Sequence, residues 1–250
     1  MMGLATACAS ATRPAAPPAA ALPRQAWLVD ACGCGREGLV ALARAAGAET
    51  AAAVAQLSAL PRLMHGQWGE GGLCVVRLPV DPAPLCHELR ALLVLLPALP
   101  SSMQVVVLVP GGVRWVVLTL ARALSGLLCP PVVGVFSSRL ALSALAAVVR
   151  AGLQGHTLCG VLPGWVRAER RGLSVPELEA LSAYLHGAPV TTLARRRAIS
   201  VKTVYNQRRT ALLKLGVRTP QAAWRLLAPA YRQRVQEKGL CWRAPSGGVQ

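Results

Sequence analysis

The chain changes its hydrophobic period partway along, and that change limits what it can fold into. From Gln25 to Gly152, short apolar runs alternate with longer stretches whose apolar residues recur at helical spacing. Residues 26–30, 73–76, 104–109 and 132–136 read as strands, the third ended by Pro110, Gly111 and Gly112. Residues 36–46, with Leu39, Leu42 and Ala46 on one face, read as a helix, as do 83–96, 114–127 and 140–151. Strands alternating with helices predict βαβ units: a parallel sheet covered on both faces. The fold class expected is therefore α/β, a doubly wound parallel-sheet domain over residues 25–152, followed by an all-α domain. An Ala/Pro tail over 1–24 has no need to fold, and a basic tail is expected over 229–250. Between the two domains, residues 153–172 read as a linker: Gly155, Gly160, Pro163 and Gly164 interrupt the pattern, and Arg167, Arg170 and Arg171 follow.

Charge divides along the same line. The chain carries 27 Lys plus Arg against 10 Asp plus Glu, a net charge of +17 over 250 residues. Residues 1–165 hold 11 basic and 6 acidic side chains, and residues 166–250 hold 16 and 4, so +12 of the +17 lies in the last third. Such a field calls for a polyanion, either nucleic acid or an anionic membrane surface. With 54% hydrophobic and 15% charged residues, the chain is not wholly disordered. Aromatics are only 4%, so its core must come from Ala, Leu and Val.

Several function classes lose support on the same inspection. The longest uncharged run, the 23 residues between Arg90 and Arg114, could span a bilayer by length. Pro97, Pro100 and Pro110 and the polar 101–104 stretch break it, which predicts two short elements and no membrane. No signal peptide is expected, and the protein is expected in the cytoplasm. Eight cysteines are scattered without a C-x-x-C pair; Cys32-Gly-Cys34 and Cys86-His87 match no common metal spacing, so reduced structural thiols and no metal are expected. His65, His87, His156 and His186 are isolated, and no nucleophile sits in a recognisable setting, so no enzyme and no cofactor are expected. The 69–72 and 111–112 glycines read as turns and not as a phosphate loop.

From Leu173 the pattern is helical throughout. Ser174-Val-Pro-Glu177 is a capping box. Leu178, Leu181 and Leu185 then share a face, and Gly187 stops the helix. A second helix is expected from Thr191 to Arg197 and a turn at Ala198-Ile199. A third helix, capped by Ser200, is expected over 201–215 up to Gly216. A fourth is expected from Pro220 to about Leu227. On the third, Val204, Ala211, Leu212 and Leu215 fall on one side. Lys202, Asn206, Arg209 and Leu213 fall on the other, flanked by Tyr205. Lys or Arg can donate to guanine edges and Asn can bond adenine, so a short helix, a turn and a capped helix with this stripe predict a helix-turn-helix. An ordinary charged surface helix is the other reading. Against it, Arg195, Arg196, Arg197, Arg208 and Arg209 crowd one small unit, with no acid between Glu179 and Glu237.

These residues resemble a known family. The Leu-Ser-x-x-Glu-x-Glu start at Leu173, the Leu193-Ala-Arg-Arg196 segment, Ile199-Ser-Val-Lys-Thr-Val204 and Lys214-Leu-Gly-Val217 look like the LuxR-type (NarL/FixJ) DNA-binding domain over 173–228. The 207–216 stretch resembles the capsule-regulating Rcs subgroup. The resemblance implies a bacterial transcriptional regulator whose third helix enters the major groove. Lys202, Tyr205, Asn206 and Arg209 would meet bases; Thr203, Gln207 and Arg208 would lie nearer phosphates, with Arg195 and Arg196 adding to the DNA-binding set. Gln207 departs from the His common in the family. The fourth helix, with Ala223, Leu226 and Leu227, would either dimerise or pack within its own domain.

That resemblance implies a receiver-like domain ahead of the helices. A receiver needs a phosphoacceptor carboxylate at the end of its third strand and an acidic pair after its first. Here Asp30 is the only acid just after the first strand, the acceptor position falls at Arg77, the hydroxyl position at Val109 and the Lys position near Ser138. Arginine neither accepts a phosphoryl group nor binds Mg²⁺, so a receiver-like fold that has lost phosphorylation is expected. Double-stranded DNA is the expected partner, with a homodimer, or a heterodimer with a related regulator, and RNA polymerase as a further contact. Two other readings stay open: an auxiliary partner of a phosphorylatable regulator, and a membrane-associated protein using the apolar 91–136 region.

Overall fold

The computed structural model describes residues 24–64, 72–110, 114–156, 158, 172–218 and 222. Five strands form one parallel sheet: β1 (Gln25–Val29), β2 (Thr50–Val54), β3 (Gly72–Arg77), β4 (Met103–Val109) and β5 (Val132–Ser137). Their order is β2-β1-β3-β4-β5, with every neighbouring pair parallel. Helices α1 (Gly33–Ala45), α3 (Pro82–Leu95) and α4 (Arg114–Ser125) connect the strands, and α5 (Leu142–Leu153) follows the last of them. Between β2 and β3 the described residues form a 3-10 turn and the four-residue α2 (Leu60–Leu63). The architecture is the doubly wound one read from the alternating pattern.

The strands bury both faces, and their period of two sorts side chains between them. One row runs across the sheet through Ala53, Leu28, Val75, Val106 and Gly134. It faces α1 and α5. A Cβ at Gly134 would press on Leu158, so glycine there lets the chain after α5 pack on the sheet. The opposite face of the sheet, including Trp27, Cys74, Val105 and Val135, belongs to the cluster built with α3 and α4. Burial pushes the Cys74 and Cys86 thiols up to about 12, so both stay protonated.

The sequence misses two features here. β2 (TAAAV) is an edge strand of small residues, half-exposed along most of its length, and carries no Val-rich signal. Helix α1 begins at Gly33, ahead of the expected residue 36. Gly35 lies in its first turn, where a Cβ would collide with the Asp30 carboxylate. The uncharged 91–113 stretch divides between the end of α3, a 3-10 turn and β4. Among the described residues no helix is long and apolar enough to cross a membrane.

Three further helices follow: α6 (Val175–Leu185), α7 (Val190–Arg196) and α8 (Val201–Lys214). They do not form a detached module. Leu173, Leu178, Leu181, Leu185 and Ala211 belong to the same apolar cluster as α3 and α4. The Leu173 amide donates to Thr119 Oγ1 (3.0 Å), and Arg122 donates to the Gly172 carbonyl (3.0 Å). A Cβ at Gly172 would collide with the Leu118 carbonyl, so this close approach requires glycine. Arg90 of α3 meets Glu179 of α6 at 3.4 Å. The Ala/Pro tail, the linker, the fourth helix with Ala223, Leu226 and Leu227, and the basic C-terminal tail lie outside the described residues, apart from residues 24, 153–156, 158, 172 and 222.

Candidate nucleic-acid interface

Helix α6 starts as its sequence dictates. Ser174 Oγ accepts from the Glu177 amide (3.4 Å), while Glu177 Oε2 accepts from the Ser174 amide (2.7 Å), completing the capping box with Pro176 in the first turn. Helix α7 closes on Arg197, and the chain turns through Ala198, whose φ of 51° is left-handed. Amides of residues 197–199 return to carbonyls of α7, which holds the turn. Ser200 then caps α8, accepting from the Thr203 amide at 3.0 Å. The helix–turn–helix expected from the sequence is therefore present, with α7 and α8 each ending one residue earlier than expected.

Helix α8 presents two unlike sides. Val204 and Ala211 are buried, with Leu212 and Leu215 packed against the core. Lys202, Thr203, Tyr205, Asn206 and Arg209 are exposed, as are Arg195 and Arg196 on α7. Gln207 and Arg208 are half-buried. All nine residues picked from the sequence thus lie on α7 and α8, with seven open to solvent.

Two glutamates organise the basic side chains. Glu179 receives Arg196 (2.6 Å) and Arg197 (3.3 Å), besides Arg90 from the sheet domain. Arg197 also donates to Gln207 Oε1 (2.8 Å), tying α7 to α8. Glu177 receives Lys214 (2.7 Å), which also donates to the Gly172 carbonyl (3.1 Å). Burial works against the Glu177 charge, but the bonds from Lys214 and Ser174 outweigh it and hold the carboxyl below the ordinary Glu range. Arg208 lies between two rings, 4.7 Å from the Tyr184 centroid and 4.6 Å from that of Tyr205. Among the described residues Arg195, Lys202 and Arg209 have no carboxylate partner. Residues 172–218 hold eight Lys or Arg and two Glu, a net +6. The surface therefore combines cations fixed by Glu179 and Glu177 with cations left uncompensated. Sequence reasoning missed the Glu179 hub and the Tyr184–Arg208–Tyr205 stack. Both join residues on different helices, and only the packing reveals them.

The sheet domain has its own polar centre at the C-terminal ends of β1 and β3, where the strand order reverses. Asp30 is buried there. Its Oδ1 accepts from the Cys32 amide (2.8 Å), and its Oδ2 meets Arg77 at 3.3 Å. Arg36 braces the loop through the Asp30 carbonyl (2.9 Å). The centre is thus one carboxylate paired with one guanidinium. Among the described residues no group of three or more His, Cys, Asp or Glu is placed to hold a metal ion.

Comparison with known proteins agrees with this architecture. Neither the profiles of known protein families nor the sequences of curated proteins match the chain. Solved structures do. The chain is similar to RcsB from Salmonella enterica serovar Typhimurium bound to promoter rprA in the presence of the phosphomimetic BeF3−. The TM-score is 0.51 and the identity 17%, over 82% of this chain and 98% of that one. It is also similar to the two-component response regulator RcsB in a DNA complex, with a TM-score of 0.50 and 18% identity over 82% of this chain and 97% of that one. The fold is that of a receiver-like α/β domain joined to a helix-turn-helix unit.

Proposed function

We propose that the chain is a transcriptional regulator that binds duplex DNA by setting α8 in the major groove. One observation carries this: a capped helix whose outer side leaves Lys202, Asn206 and Arg209 exposed and, for the two cations, without a carboxylate partner. Lys202 and Arg209 would read guanine edges and Asn206 an adenine, with Tyr205 beside them. Thr203, Gln207, Arg208, Arg195 and Arg196 would position the unit on phosphates. Similarity to RcsB, whose structures contain promoter DNA, supports the assignment, and so does the charge of the last third of the chain. The C-terminal helix of the unit, within 220–227, would supply a dimer contact. No enzymatic step is assigned.

The same reading makes the sheet domain a receiver-like module that works without aspartyl phosphorylation. Arg77 stands at the acceptor position and pairs with Asp30, so its guanidinium takes the place of both the carboxylate and the cation it would hold. Arg77 offers no carboxylate oxygen to attack a phosphoryl donor, and the Asp30 carboxylate beside it is engaged by that guanidinium.

Footprinting on a selected duplex tests both parts. Lys202→Ala and Arg209→Ala are each expected to weaken specific binding by about 1–3 kcal/mol, roughly fivefold to 150-fold, in a folded protein. The logarithm of affinity should fall with the logarithm of salt at about −0.9 per phosphate neutralised. Acetyl phosphate or beryllofluoride should leave the affinity unchanged. Normal footprints from both variants would remove the assignment of α8. A wild-type chain that binds only when mixed with a related regulator would make it an auxiliary half of a heterodimer.

A further inference from the structure

The helical unit docks on the sheet domain through α6, whereas the proposed DNA-reading side belongs to α8, which packs on the far side of that contact through α6. We propose that the docked two-domain body is itself the DNA-binding form, so that the sheet domain does not have to let go for α8 to reach the groove. The inference rests on the reading of α8 given above and adds its regulation.

Three observations carry it. First, the sheet domain is met by α6, which packs on α3, while α8 packs on α6 through Ala211, Leu212 and Leu215, near its C-terminal end. Lys202, Tyr205, Asn206 and Arg209 stay exposed while the two domains are packed. Second, the contact is built to persist. Thr119 is fully buried and accepts the Leu173 amide, while the Gly172 carbonyl takes one donor from α4 (Arg122) and one from α8 (Lys214). Opening would strand these groups and expose the leucines of α6, which belong to the same core as α3 and α4. Third, Glu179 binds a guanidinium of the sheet domain and two of α7 together, so the sheet domain braces the arginines beside α8. A signal reaching the sheet domain would then act by moving the whole body, or the spacing of two copies, and not by uncovering a masked helix.

Hydrogen exchange on the full-length chain tests this, with and without a saturating mixed-sequence duplex of about 30 base pairs, long enough for two half-sites one turn apart. The Leu173 amide reports docking directly. Its protection, and that of α3 and α6, is expected to be unchanged or greater on DNA. Loss of that protection in the complex overturns the inference while leaving the DNA-binding reading intact. Failure of the wild-type chain to bind any duplex overturns both. A second arm uses Arg90→Glu, which sets a like charge against Glu179, and Thr119→Val, which removes the acceptor of the Leu173 amide. Both should raise exchange at Leu173. Neither should raise DNA affinity by more than about threefold, since nothing is being uncovered; a larger gain would mean that docking masks α8.

Discussion

The sheet domain and the helical unit handle charge in opposite ways. At the reversal point of the sheet, Asp30 is buried and its charge is matched by Arg77 within the same cleft. On α7 and α8 the cations outnumber the available carboxylates, and Arg195, Lys202 and Arg209 face solvent with none. A polar centre that is neutralised internally has little left to offer a ligand. A surface that is not must find its counterion outside the molecule. The difference is what favours α7 and α8, over the sheet domain, as the surface for the proposed DNA contact.

The strongest way to break that contrast is to attack what the two regions share. Leu178→Ala removes a fully buried side chain where α6 meets the sheet domain. It should cost about 2–5 kcal/mol and lower a single unfolding transition followed by both near- and far-ultraviolet circular dichroism. Two separate transitions, with the sheet unaffected, would mean the regions do not share a core.

A smaller effect sharpens the contrast, because the same chemistry should fail differently in each region. Arg77→Ala leaves the Asp30 carboxylate buried with its cation gone. Because Arg77 is 44% exposed, the loss should be modest, about 1–2 kcal/mol of stability in denaturant unfolding, with DNA affinity unchanged. Arg209→Ala should do the reverse, weakening DNA binding with an unfolding midpoint close to wild type.

The smallest effect concerns pH. The Glu177 carboxyl is held below its ordinary range in the folded chain. Its contribution is therefore complete above the ordinary Glu range, and fades as the pH falls through the lowered folded value. Glu177→Gln should flatten the acid limb of stability against pH and leave the neutral-to-alkaline limb parallel to wild type, as measured by denaturant midpoints across the series.

How much of this was legible in the sequence depends on the range of the interaction involved. Val-rich β4, the Ser174–Glu177 capping box and the Ser200 cap declare themselves locally, because neighbours a few residues apart satisfy one another. The turn at Ala198 was legible from the caps on either side of it. β2 was not, since four small residues at a sheet edge resemble a helix as much as a strand. The docking of α6 on α3 and α4 was hidden for a different reason. Thr119 and Leu173 are 54 positions apart, and the leucines of α6 would fit any apolar neighbour. The candidate DNA-reading residues were legible by helical projection, but their bracing through Glu179 and Tyr184 was not.

The stacking of Arg208 between Tyr184 and Tyr205 has a consequence for what Tyr205 can do. One flat side of its ring is already taken by the guanidinium, so a nucleobase cannot intercalate there. On the proposed reading, the phenol would meet a groove with its rim, its hydroxyl or its other face, within reach of a thymine methyl or a phosphate oxygen. The guanidinium also ties α8 to α6: rolling α8 about its own axis would carry Arg208 and Tyr205 together and slide both away from the Tyr184 ring.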